Sequence, residues 1–194
     1  MYKQVIESIR ESRQDFSVEN TKKAAESILG LSKKGEVPVK IIAICKNMGF
    51  SVYQQDLPHD ICGYIMINGE LKDKFQTDRI ISVNSGESNK RRRFTVAHEL
   101  GHFLFDFDPN QSIQYFNKFE IDHAKGDRVE GRANRFAAEL LMPENLIKKK
   151  YCELKKEDPQ KDLYNIVQDL SDFFLVPPKA VELRIKEELH LHET

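Results

Sequence analysis

The spacing of apolar residues along the chain changes period twice, and the changes mark out the elements. In the first 30 residues Val5, Ile6 and Ile9 form a weak helical stripe. Ala24, Ala25, Ile28 and Leu29 form a stronger one that stops at Gly30. Pro38 is expected to open a further helix over about 38–48, with Val39, Ile42, Ala43 and Met48 periodic and Gly49 closing it. The period then drops to two. Phe50 to Tyr53, Cys62 to Asn68 and Arg79 to Asn84 read as strands, the second ended by the Asn68-Gly69 turn signal. Together they predict a small antiparallel three-stranded sheet, broken by Asn84-Ser85-Gly86.

The helical period returns over about 89–105, where Phe94, Val96, Ala97, Leu100, Phe103 and Leu104 make the helix apolar nearly all round. Such a helix is expected to be buried. Residues 106–126 read as a loop around Asp108-Pro109. A helix follows from about Asp127 to Met142, started by a capping-box spacing of Asp127 and Glu130 and stopped by Pro143. Residues 144–160, with Lys148-Lys149-Lys150, read as a solvated helix face and linker. Two short helical patterns, about 161–174 and 178–190, flank Pro177-Pro178. The expected fold class is α+β, with the sheet packed on helices and a small C-terminal helical appendage. The expected division is an N-terminal helical extension (1–20), a central domain (21–145) and a C-terminal helix-turn-helix-like region (146–194).

Inside the buried helix, His98-Glu99-Leu100-Gly101-His102 reads H-E-x-x-H. The two histidines lie one turn apart on one face and can reach a single zinc ion, and Glu99 can hold a water against it. Burying two histidines and a glutamate on one helix without a metal would be costly. Catalytic zinc takes three protein ligands and keeps one position open. In the metzincin pattern a glycine turn and a third histidine would fall where Phe105 and Asp108 stand, and a bulky aromatic supplies that turn poorly. The better third ligand is Glu130 on the following helix. It shares a face with Ala133, Asn134 and Ala137, whose small alanines permit close approach to Gly101. Asn134 could then hydrogen-bond a ligand histidine. Glu139, half a rotation away, reads as a surface or structural group. His123, in a polar loop, reads as exposed.

Composition narrows the setting. A net charge of −1 argues against general nucleic-acid or membrane-surface binding. Cys45, Cys62 and Cys152 lack CxxC spacing, so neither a disulfide framework nor a zinc knuckle is expected, and a reducing cytoplasm is the simplest home. The N-terminus has no apolar signal-peptide core, and no apolar run approaches membrane-spanning length.

The runs Arg92-Arg93-Phe94-Thr95-Val96-Ala97-His98-Glu99-Leu100-Gly101-His102 and Glu130 with Ala133-Asn134-Arg135-Phe136-Ala137-Ala138-Glu139-Leu140-Leu141-Met142-Pro143 resemble the ImmA/IrrE family of metallopeptidases. The resemblance covers about residues 20–145, weakens after Pro143 and is absent from the first 20. It implies a zincin-like fold. It implies that His98, His102 and Glu130 bind the metal, zinc above all (a two-histidine, one-glutamate set also admits manganese or iron), and that Glu99 is the general base. It further implies a cytoplasmic metallo-endopeptidase of bacteria and their mobile elements, whose protein substrate is a DNA-binding helix-turn-helix repressor. No direct nucleic-acid or membrane contact is expected of it.

The chemistry follows from the residues. Zinc acidifies a water molecule and polarises the scissile carbonyl, while Glu99 takes the proton and later passes it to the leaving amine. An oxyanion donor is also needed, for which Tyr115, His123 and Arg92 are the candidates. The basic run Lys90-Arg91-Arg92-Arg93 reads as solvated or salt-bridged. Two other functions compete. One is a DNA-binding regulator built on residues 163–185, although Glu182, Glu187 and Glu188 against Lys179, Arg184 and Lys186 suit phosphate contact poorly. The other is a non-catalytic, antitoxin-like metal-containing regulator, against which stands the intact Glu99.

Overall fold

The computed structural model describes residues 1–32, 35–108, 113–116 and 123–189; the side chains at 74, 113–116, 123–127 and 189 are outside this description. The first 30 residues form two helices, α1 (Tyr2–Glu11) and α2 (Val18–Leu29). The break is built by short polar side chains. Ser17 Oγ accepts from the Asn20 amide at 3.1 Å, and Asn20 Nδ2 donates to the Ser12 and Asp15 carbonyls at 3.0 and 2.9 Å. These groups satisfy the backbone at both helix ends. Helix α3 (Ile41–Asn47) starts three residues past Pro38 rather than at it. Gly49 closes it as expected, at a φ of 87° that favours glycine.

The α+β class is as expected, but the sheet differs in size and direction. Strands β1 (Ser51–Gln55), β2 (Gly63–Asn68), β3 (Arg79–Asn84) and β4 (Ile113–Phe116) lie in the order β1-β3-β2-β4. Strand β3 inserts between β1 and β2. It pairs parallel to β1, with Ser51 opposite Ile80, and antiparallel to β2, with Gly63 opposite Val83. Strand β4 adds antiparallel to β2 with Ile65 opposite Phe116. The expected all-antiparallel, three-stranded sheet is therefore a mixed, four-stranded one. Apolar alternation marks which residues are strands but carries no information on their order. Nor does Asn68-Gly69 make a two-residue hairpin. The β2–β3 link holds a short helix, α4 (Leu71–Phe75), and closes through the Asn68 amide on the Asp78 carbonyl at 2.9 Å.

Helix α5 (Asn89–Phe105) is capped by Ser88, whose Oγ accepts from the Arg91 amide, and is buried along Thr95–Phe105. It lies against β2 at Gly63, where a Cβ would come within 2.6 Å of the Ser82 carbonyl oxygen and of Thr95 Cγ2. Helix α6 (His123–Leu141) crosses α5 at Gly101, where a Cβ would meet Ala133 Cα and Phe136 Cδ1 at 3.2 Å. The expected contact between Gly101 and the alanine face is thus present. The helix begins four residues earlier than expected, so Asp127 lies inside it rather than at its start.

Three more helices follow: α7 (Glu144–Glu157), α8 (Leu163–Phe174) and α9 (Pro178–Leu189). Asp162 caps α8 by accepting from the Asn165 amide at 2.7 Å. One continuous buried cluster runs from Ile6 and Ile28 through Ile65, Ile81 and Leu100 to Leu170, Phe174 and Ile185. Arg184 fastens α9 to α6. Its side chain is 1% exposed and donates to both Glu139 oxygens, at 2.6 Å to Oε1. Glu139 is therefore a buried structural partner. Among the described residues no helix is long and apolar enough to cross a membrane.

Candidate metal centre

Where α5 and α6 cross, three side chains meet. Helix α5 presents His98 and His102 one turn apart, with their Nε2 atoms 2.9 Å from each other. Helix α6 brings Glu130 opposite, Oε2 3.4 Å from His98 Nε2 and Oε1 3.3 Å from His102 Nε2. One ligand atom from each residue lies within 4.8 Å of the others.

The far sides of both rings are held. His98 Nδ1 lies 2.9 Å from Asn134 Oδ1, and His102 Nδ1 lies 2.9 Å from Asp106 Oδ2. Both partners are oxygen acceptors, so each Nδ1 is assigned the proton. The Nε2 atoms then carry lone pairs that point at one another and at the Glu130 carboxylate. Three acceptors converging with no donor between them call for a cation, and two imidazoles with one carboxylate can hold a divalent metal.

The electrostatics agree. Burial works against charge on His102, but hydrogen bonds to Asp106 and Glu130 outweigh it and raise the pKa. Burial likewise opposes charge on Glu130, yet His102 and His98 hold its carboxyl well below the usual range. The site favours positive charge between the two rings. Glu99 differs. Burial pushes its carboxyl up to about 7, with His98 pulling the other way and Glu130 reinforcing the rise. Its Oε2 is buried without a hydrogen-bond partner. A carboxyl poised near neutrality with a spare acceptor suits a general base.

These residues floor a cleft of about 580 Å³. One side is the turn leading into β2, at Ile61 and Cys62, and the other is α9, at Ala180 and Leu183. Nothing in the sequence pattern pointed to α9 as a wall. Three further residues also escaped it. Asp106 caps α5 one turn beyond His102, a spacing that could have flagged it. Arg132 ion-pairs with Asp106, and Arg135 lines the cleft with its Nε buried and unpartnered. Both needed the fold. Arg92, an oxyanion candidate by sequence, instead ties down the loop before α5, donating to the Ser85 carbonyl at 3.1 Å and to that of Glu87. The side chains of Tyr115 and His123 lie outside the described residues. The basic run is anchored: Lys90 meets Asp172 at 2.7 Å, Arg91 meets Glu87 at 3.2 Å and Arg93 donates to the Val39 carbonyl at 2.7 Å.

The family model described as the IrrE N-terminal-like domain, peptidase M78, matches residues 64–186. The chain belongs to the M78 peptidase family. Membership of a metallopeptidase family implies a metal ion, for which His98, His102 and Glu130 form a candidate site. The match starts within β2 and reaches into α9, so it begins later than the sequence resemblance suggested and takes in the C-terminal helices, over which the resemblance weakens. Uncharacterized immunity region protein 2 of Bacillus phage phi105 is 26% identical over 121 residues, covering 57% of this chain and 74% of its own. Metallopeptidase ImmA of Bacillus subtilis (strain 168) is 26% identical over 80 residues, which is 41% of this chain and 44% of ImmA. A solved Mycobacterium tuberculosis transcriptional regulator shares the fold, with a TM-score of 0.55 at 17% identity over 94% of this chain and 51% of that one. The chain thus matches less than half the length of ImmA and about half that of the mycobacterial protein.

Proposed function

We propose that this M78 peptidase is a zinc-dependent endopeptidase of the cytoplasm that cleaves a helix-turn-helix transcriptional repressor. In this reading His98, His102 and Glu130 hold the ion and Glu99 is the general base. The carrying observation is the convergence of two Nε2 lone pairs and the Glu130 carboxylate beside a buried, unpartnered Glu99 oxygen. Zinc bound there would supply a Lewis acid for the scissile carbonyl and for the attacking water. The chain does the rest. Asn134 and Asp106 keep the imidazoles turned inward. Glu99 takes a proton from water and delivers it to the leaving amine. Arg135 offers guanidinium donors to a substrate carbonyl in the cleft.

The substrate class draws support from the immunity-region relative and from the metallopeptidase ImmA. The competing DNA-binding reading is weakened by α9, where Lys179 and Lys186 both pair with Glu182, at 3.0 and 3.2 Å, and Arg184 is buried. A cytoplasmic setting fits three free cysteines, among which burial pushes the Cys45 thiol up to about 12.

The test is co-expression with repressors encoded nearby, with metal analysis of the purified protein. Parent protein should hold about one zinc and cut a repressor. Glu99→Gln should keep the zinc and lose cleavage by about 10²–10⁴-fold, the usual worth of a positioned acid–base group. Persistent cleavage by the zinc-loaded variant overturns the base assignment. A zinc-loaded parent that cuts no repressor overturns the substrate class and favours a non-catalytic regulator.

A further inference from the structure

The first 20 residues lie outside the family match, yet their chain reaches the metal centre through an unbroken series of contacts. The series starts at His102, whose Nδ1 is held by Asp106 Oδ2 at 2.9 Å. The other carboxylate oxygen, Oδ1, accepts from Arg132 Nη2. Arg132 is 3% exposed and comes from α6, two residues past Glu130, so one helix delivers both a ligand and the brace for another. Its second terminal nitrogen, Nη1, donates to the backbone carbonyl of Arg13, in the break between α1 and α2. Its guanidinium plane lies between two rings, 3.9 Å from the centroid of Phe16 and 4.7 Å from that of Phe105. Arg128, one turn earlier on α6, covers the same Phe16 ring at 4.6 Å.

Other bonds fix the same segment to the end of α5. Arg10 Nη2 donates to the Phe103 carbonyl at 3.0 Å, and Arg13 Nη1 reaches the Phe107 carbonyl at 3.5 Å. These peptide units flank His102 and Asp106. The Arg132 Nε is already buried without a partner. Withdrawing the N-terminal segment would strip the guanidinium of its carbonyl and of one stacking face, leaving it with Asp106, the Phe105 ring and newly admitted water to compete for it. An arginine in that state has every reason to move, and Asp106 moves with it.

We infer that the N-terminal arm, through Arg13 and Phe16, is a positioning element of the metal centre: it holds Arg132, which holds Asp106, which turns His102 toward the ion. The inference rests on the metal-ligand reading above. It makes arm docking and metal binding two coupled equilibria, and coupling of that kind is reciprocal. An arm that docks tightens the site, and a metal that binds tightens the arm. A protein that pulls residues 1–17 away would loosen the ion without touching a ligand.

The experiment uses the full chain and zinc alone, so no substrate need be known. Zinc affinity is measured by competition with a chromophoric chelator for the parent, Phe16→Ala and Arg132→Gln, each checked to be folded by circular dichroism. Arg132→Gln should bind zinc about 10–100-fold more weakly, the usual cost of removing an outer-shell partner. Phe16→Ala, whose half-exposed ring touches no ligand, should lose about 3–10-fold, a smaller share of the same range. Lys23→Ala, on the solvent side of α2, should match the parent. Hydrogen exchange on the parent supplies the reciprocal arm: adding zinc should slow exchange of amides 13–20. This readout needs no variant and separates coupling from a general loss of stability. Phe16→Ala binding zinc as tightly as the parent, or amides 13–20 exchanging equally with and without zinc, overturns the coupling alone. A parent that binds no zinc overturns the metal-ligand reading beneath it.

Discussion

Helix α6 takes part in two buried arginine–carboxylate pairs, and they serve different ends. Near its N-terminal half, Arg132 meets Asp106 of α5; near its C-terminal end, Glu139 meets Arg184 of α9. The second pair closes on itself. Each terminal guanidinium nitrogen donates to one Glu139 oxygen, Arg184 Nε donates to the Met142 carbonyl at 3.4 Å, and Nη1 also meets Glu188 at 2.8 Å. Its effect is mechanical, since it seats α9 as a cleft wall. The first pair is open-ended. Asp106 spends one oxygen on Arg132 and the other on His102, so its geometry is passed on to the candidate metal site. The lesson is that burial and charge do not define a role. What matters is whether the pair has a free valence pointing at chemistry.

The difference can be broken from either side. The largest effect should come from Arg184→Met, which strands Glu139 as an unpaired buried carboxylate. A loss of about 3–5 kcal/mol in denaturant unfolding is expected, with zinc affinity of the folded protein unchanged. The double variant Glu139→Leu with Arg184→Met should recover most of it. Weakened zinc binding in the single variant would show that wall and centre are one unit after all.

Next is Asp106→Asn. It keeps the shape of the side chain but weakens its hold on His102 Nδ1 and on Arg132. Zinc affinity should fall about 10–100-fold, while unfolding stability falls less than in Arg184→Met. The reverse ranking would remove the distinction.

The smallest effect calibrates both. Glu144 sits between Lys22 and Lys148, outside the core, and hydrogen bonds from Lys148 and Lys22 hold its carboxyl at about 2 despite some burial. The folded value lies below the unfolded one. Its contribution is therefore complete above the ordinary carboxylate range and is lost as pH falls toward about 2. Solvent screening leaves Glu144→Gln a cost below about 1 kcal/mol at neutral pH, shrinking in that acid window, as pH-dependent denaturation would record.

The α5 motif was legible because it is local. Spacing on one helix decides that His98 and His102 share a face, and the apolar residues nearly all round its C-terminal half decide that this part is buried. Glu130 and Asn134 were legible at longer range because Ala133 and Ala137 on the same face, and Gly101 opposite, announce a close helix crossing. Strand β4 was not legible, since Ile113-Gln114-Tyr115-Phe116 ends on two adjacent aromatics and shows no sustained alternation. The parallel pairing of β1 with β3 was not legible either. Local pattern says that a segment is extended, but which neighbour it takes depends on where the intervening chain can pass.

By itself, then, the sequence determined that His98 and His102 share a helix face with Glu99 beside them, which helix carries Glu130 toward them, and the α+β class, all of which follow from side-chain periodicity and size. Only the tertiary structure decided the strand order, the place of α9 at the cleft and the chain of contacts from Phe16 to His102. Those depend on side chains far apart in sequence meeting at one buried point. Arginine and carboxylate look alike along a chain whether they face water or each other, and burial alone makes their partners obligatory.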